Sequence, residues 1–178
     1  MSEWWEREDQ DVLVPWVAEY AGEIDEEAIR GTADWLRNKA TTDDWYRAVS
    51  DLNWGFGVEP FVWIIRQARC DKATALRAFY MARPGEMLDY GNDFSRVPGF
   101  QQNTFHLVSE IRTRFMSGFY TRSTIAFDAD HFLKKESYAP ENPPAEALDA
   151  VIPPLMRQSL PGRTLAWNRF DVEPVHCI

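Results

Sequence analysis

The stretch NWGFGVEPFVWIIRQARCDKATALRAFYMARPG, Asn53 to Gly85, decides the fold. Gly55 and Gly57 interrupt any helix that precedes them, because glycine adopts backbone angles that other residues resist. Pro60 suits the first turn of a new helix, where a missing N–H has no partner to lose. From there PFVWIIRQA is apolar on nearly every side until Arg66, the pattern of a helix in the middle of a bundle. The spacing predicts that this helix ends near Arg69 and that Asp71 caps the next one, KATALRAFYMA. Ala75, Phe79 and Ala82 form the stripe of that second helix, Leu76 and Tyr80 widen it, and Arg83 to Gly85 end it.

The joint RCDKAT raises a chemical question. A thiolate at Cys70, just outside a helix start, would feel the positive end of the dipole, and Arg69 and Lys72 would lower its pKa further. A nucleophile also needs a general base. Between residues 51 and 127 the one histidine is His106, and no motif links it to Cys70. Free cysteine is more commonly a small buried apolar residue. The sequence therefore reads as a structural joint, with Asp71 accepting a hydrogen bond from the N–H of Ala73 or Thr74, a cap worth about 1 kcal/mol.

Helical spacing continues toward the N-terminus. Leu13, Trp16, Val17 and Tyr20 fall on one face. Asp25 is placed as the N-cap of a helix whose inner face is Ile29, Ala33 and Leu36. Thr42 is placed as the cap of another, lined by Trp45, Val49 and Leu52. The paired carboxylates Glu26/Glu27 and Asp43/Asp44 occupy first turns, where they compensate helix dipoles. Past Gly85 a long irregular stretch runs to Gly99. Asn103 then caps an amphipathic helix with Leu107, Val108, Ile111, Phe115 and Phe119 on its face. STIAFDAD reads as a short strand or an extended arm. The segment from Ala139 to Gly162 holds six of the eleven prolines, so only short helices fit there, one of them over residues 145–152.

Composition sets the outer bounds. At 178 residues, 45% of them apolar, with eight Trp and eleven Phe, the chain has ample material for one core. A domain of this size buries about 70% of the surface its unfolded chain exposes. No apolar run is long enough to span a membrane, and the acidic opening MSEWWEREDQ lacks a secretory pattern, so a cytoplasmic protein with two free thiols, Cys70 and Cys177, is expected. Residues 1–50 carry 13 acidic against 5 basic side chains, and residues 51–178 carry 15 against 14. Nearly all of the net charge of −9 thus lies in the first 50 residues, which disfavours nucleic acid and reads either as simple solubility or as an electrostatic lure for a basic protein partner. Trp4, Trp5, Glu6, Glu8, Asp9 and Asp11 are the candidate partner contacts, aromatic anchors beside acidic groups in a loose terminus, with docking of the two tryptophans onto their own domain as the other reading.

Other chemistry finds little footing. Asp128, Asp130 and His131 are two and three residues apart, but HExxH and paired HxH patterns are absent, so the segment reads as a turn or helix cap. The GFG at Gly55–Gly57 lacks the lysine and hydroxyl of a P-loop. No catalytic residue, metal site or cofactor is expected.

The segment Asp51–Leu88 also resembles a bacterial domain-of-unknown-function family, number 4274. The features are Asn53-Trp54 before a loop, an apolar helix, then Cys70, Asp71, Thr74, Ala75, Leu76 and Phe79, and finally Ala82 and Pro84. The pattern extends through FHLVSEIRTRFMSGFY. The resemblance implies no established activity and no catalytic residue.

The expected fold is mainly α, a single domain over residues 1–178 built as a bundle of six to eight helices. Residues 1–10 form an acidic terminus, residues 51–127 the family-like core, and residues 138–178 a proline-rich segment packed on the bundle. The expected function is a non-catalytic interaction module, such as an immunity protein neutralising a bacterial toxin. The alternatives are a hydrolase or transferase using Cys70 or the Asp128–His131 segment, and a structural subunit of a larger assembly. The oligomeric state is left open.

Overall fold

A computed structural model of the chain describes residues 4–6, 11–22, 25–134 and 143–166. Among these, eight α-helices form one mainly α domain: α1 (Leu13–Tyr20), α2 (Glu26–Asn38), α3 (Thr42–Asp51), α4 (Glu59–Ile65), α5 (Lys72–Met81), α6 (Gln102–Met116), α7 (Ala129–Leu133) and α8 (Ala145–Val151). The irregular stretch expected after Gly85 is organised as 3-10 turns at Pro84–Tyr90, Phe94–Arg96 and Gly99–Gln101.

Helices α4 and α5 form the centre. Five of the seven residues of α4 are apolar, and all of those except Trp63 are fully buried. Ala73, Ala75 and Ala78 are small, so α5 can pack on α3, α4 and α6 at once. Rings fill the remaining space: Trp54 stacks on Phe61 at 3.8 Å, and Trp45 meets Trp63 edge to face at 5.6 Å. Such pairs add about 0.5–1.5 kcal/mol beyond the area they bury.

Three boundaries differ from expectation. α4 stops at Ile65 rather than near Arg69: the Gln67 amide donates back to the Trp63 carbonyl (2.8 Å), while Arg66 reaches across to Glu110 on α6. The cap of α3 is Thr41, not Thr42. Thr41 Oγ1 accepts from the Asp44 N–H, and the Asp44 carboxylate accepts from the Thr41 N–H at 2.8 Å, a reciprocal capping box. Asn103 caps nothing, because the turn at Gly99–Gln101 feeds directly into α6.

After α6 the chain runs extended rather than as a full strand. Its residues make isolated bridges, Asp71 with Arg122, Ile125 with Arg163 and Phe127 with Leu160. The arm thus lies between the start of α5 and the segment 160–163. Gly162 permits this approach, since a Cβ there would sit 2.6–2.8 Å from the backbone of residues 124–126.

Candidate functional site

The CD joint of the opening stretch is buried. Cys70 is fully enclosed and its thiol donates to the Asp71 carbonyl at 3.6 Å; burial, and then the neighbouring Asp71 carboxylate, push its pKa up. Arg69, the cation next to the thiol in sequence, stacks on Trp45 at 4.3 Å. The thiol therefore stays protonated and shielded, as the sequence reading expects of a joint.

Asp71 does more than cap. One carboxylate oxygen accepts from the Ala73 N–H at 3.0 Å; the other accepts from the N–H (2.7 Å) and hydroxyl (2.9 Å) of Thr124. Arg122 lies 3.9 Å away, and its carbonyl accepts from the Lys72 N–H. A single fully buried carboxylate thus fastens the extended arm to the start of α5.

The Asp128–His131 segment borders a cavity of about 400 Å3 between α3, α5, α7 and the C-terminal arm. Asp128 is occupied as the N-cap of α7, accepting from the His131 N–H at 3.1 Å. Arg77 stacks on the Tyr46 ring at 4.6 Å and donates to Ser50. Ser159 accepts from the Ala129 N–H. Arg77 and Asp128 thus bring one charge of each sign to the lining of this cavity. Among the described residues no cluster of three or more His, Cys, Asp or Glu side chains is arranged to hold a metal ion.

Of the candidate partner contacts, the structure describes Trp4, Trp5 and Asp11. Trp4 and Trp5 dock on their own domain rather than standing out from it. Trp4 is 5% exposed, with the Arg66 guanidinium 5.5 Å from its ring centroid. Trp5 stacks on His106 at 4.1 Å and meets Phe94 edge to face at 6.4 Å. Aromatic surface is simply better buried against other rings than left in water. Asp11 is held by Arg37 at 2.7 Å. Glu8, Asp9 and the side chain of Glu6 lie outside the described residues. Burial lowers the pKa of His106 in this cluster, with Glu110 opposing the shift.

A feature not anticipated from sequence is a groove of about 420 Å3 between α1 and α2. Leu13, Val14, Val17, Ala18 and Ala33 line it, and Arg30, Asp34 and Arg37 border it. Val14 is 62% exposed. The signal lay in Val14 and Ala18, an i, i+4 apolar pair beside the stripe of Leu13, Trp16, Val17 and Tyr20. A second exposed apolar residue, Phe100, is 84% exposed at the turn before α6.

The architecture is that of a mainly helical domain organised around a buried helix–helix joint. Residues 40–116, from the end of α2 to the end of α6, match the family model described as a domain of unknown function (DUF4274), and this segment is a member of that family. No curated protein and no solved structure is significantly similar to the chain. The Asn53-Trp54 and Cys70-Asp71-x-x-Thr74 features that carry the resemblance all serve the fold. The Asn53 side chain caps the 3-10 turn at Trp54–Phe56, the Trp54 indole donates to the Val49 carbonyl, and Thr74 is fully buried in α5. Among the described residues no helix is long and apolar enough to cross a membrane.

Proposed function

We propose that this protein is a non-catalytic interaction module that presents its acidic N-terminal helices to a basic protein partner, in the manner of an immunity protein covering part of a toxin. The observation that carries the reading is the placement of charge. The first 50 residues supply nearly all of the net −9, and Glu19, Asp25, Glu26, Glu27 and Asp34 are all exposed on α1, α2 and the turn entering α2. A field of one sign steers an oppositely charged partner and raises its association rate. The commitment of Cys70, Asp71 and Asp128 to structural bonds further supports a binding role over a chemical one.

The test is affinity capture from native lysate with the wild-type chain and with a Glu19→Gln, Glu27→Gln, Asp34→Asn variant, at low and high salt. The reading expects a basic protein that is retained at low salt, released at high salt and depleted by the variant. Capture that ignores both salt and the substitutions would overturn it.

A further inference from the structure

The first 3-10 turn, Trp4–Glu6, meets the domain through aromatic rings. Trp5 lies on the His106 imidazole, with centroids 4.1 Å apart and planes 14° from parallel, and Phe94 touches the same imidazole at 4.4 Å. Trp4 meets His106 edge to face at 6.3 Å, and the Arg66 guanidinium lies 5.5 Å from its ring centroid. His106, Phe94 and Arg66 all belong to the family segment, residues 40–116, whereas the two tryptophans lie outside it. We propose that Trp4 and Trp5 form a strap that covers this face while His106 is neutral and leaves it when His106 takes up a proton.

Two atoms make the covered state sensitive to that proton. Among the described residues the Trp4 indole N–H and His106 Nε2 are both buried with no hydrogen-bond partner. A neutral imidazole tolerates this better than an imidazolium, because an unpaired buried N–H costs more once it carries charge. The surrounding charges do not offset that cost. Glu110, one turn further along α6, favours the imidazolium, but it already accepts from Arg66 at the end of α4 and from Arg114. Two guanidiniums therefore outnumber the one carboxylate before His106 titrates. From the turn at Phe94–Arg96 the group against the imidazole is the Phe94 ring; Asp93 is bonded to Ser95, and Arg96 reaches the Asp89 carbonyl. The π face of Trp5 attracts a cation, but a covered nitrogen without an acceptor loses more. Glu3, Glu6, Arg7, Glu8 and Asp9 flank the tryptophans in sequence, and their side chains lie outside the described set. Burial lowers the His106 pKa, and Glu110 opposes the shift. Linkage makes the dependence reciprocal: a proton favours departure of the strap, and its departure returns His106 toward the ordinary value of about 6.5.

The experiment follows the His106 ring protons and the indole N–H signals of the 15N-labelled full chain from pH 7.5 to pH 5. In the wild type the Trp4 and Trp5 signals should move with the His106 midpoint. Solvent exchange of the Trp4 indole N–H should rise about tenfold or more across that midpoint, while the signal of the fully buried Trp45 stays unchanged. His106→Phe keeps a ring under Trp5 but removes the proton site, so its indole signals should stay flat. Trp5→Ala uncovers the imidazole, so the His106 midpoint should rise toward about 6.5. Circular dichroism checks that both variants keep the fold.

Tryptophan signals that ignore the His106 titration would overturn the strap, as would an imidazole still neutral at pH 5. Equal movement in His106→Phe would refute it by placing the proton on an acid of the terminus. An unchanged midpoint in Trp5→Ala would refute it by showing that Trp5 does not shield the imidazole. Slower exchange of the Trp4 indole at low pH would show the terminal carboxylates holding the imidazolium, the reverse of release.

Discussion

Replacing Asp71 by alanine tests whether one buried carboxylate really joins two parts of the fold. The substitution removes the N-cap of α5, worth about 1 kcal/mol. It also removes the acceptor for the Thr124 N–H and hydroxyl, held at 2.7 and 2.9 Å. Hydrogen bonds to a carboxylate contribute about 1.5–3 kcal/mol each, but Thr124 is exposed and recovers part of that from water. A net loss of about 3 kcal/mol follows, a fall in Tm on the order of 10 °C for a domain of this size. Asp71→Asn keeps one acceptor for the cap but turns an NH2 group toward the Thr124 N–H, so it should lose about 1–2 kcal/mol. Urea unfolding followed at 222 nm gives both values, and amide exchange reports the arm separately. The reasoning fails if Asp71→Ala stays within about 0.5 kcal/mol of wild type with an unchanged m-value. It fails equally if the Thr124 amide keeps its protection in that variant.

Cys70 should resist iodoacetamide at pH 8 in the native chain and label only on unfolding, read by mass spectrometry of its peptide; native labelling at the rate of a free thiol would refute its burial. Because burial depresses the His106 pKa, the docked aromatic cluster is favoured while the imidazole is neutral. Its stability contribution is complete above the ordinary value of about 6.5 and is lost as pH falls through the lower folded value. Tryptophan fluorescence between pH 5 and 7 should follow that loss in wild type and stay flat in His106→Phe. Glu110 accepts from Arg66 at 2.8 and 2.9 Å and from Arg114 at 2.8 Å, so Glu110→Ala removes the carboxylate that the two guanidiniums share and should cost about 3 kcal/mol in urea unfolding. Gly162→Ala forces the tail off the arm and should cost about 1–3 kcal/mol, with amide protection falling at Ala126 and Phe127.

Local signals were legible in the sequence wherever a few neighbouring residues set the outcome. Asp25 caps α2 and Asp71 caps α5 because each carboxylate needs only the next two or three N–H groups. The α4–α5 joint was readable for the same reason: a mostly apolar helix, a break and a cap are consecutive in the chain. Thr41 and Thr42 are both cap-forming residues, and the choice turned on which one Asp44 could reach back to. The hidden part was long-range. Asp71 meets Thr124 from 53 residues away, and Asp43 pairs with Arg163 from 120. Neither partner advertises the other in composition or period. For Trp4 and Trp5 the sequence left partner contact and docking on the chain's own domain both open, and it did not show that His106 and Phe94 are the rings against which Trp5 packs. The α1–α2 groove stayed hidden because exposure of Val14 depends on what the rest of the fold leaves uncovered.

The extended arm carries a consequence for how the chain is made. Its inner edge bonds to residues 71–72, which a ribosome delivers well before it, but its outer edge waits for residues 160–163. At about 5–20 residues per second, the intervening 35 or so residues take roughly 2–7 s to emerge. For that interval the nascent polypeptide displays an unzipped backbone ledge at Thr124, Ala126 and Phe127, a place where a chaperone or a neighbouring nascent chain would engage before the tail seals it.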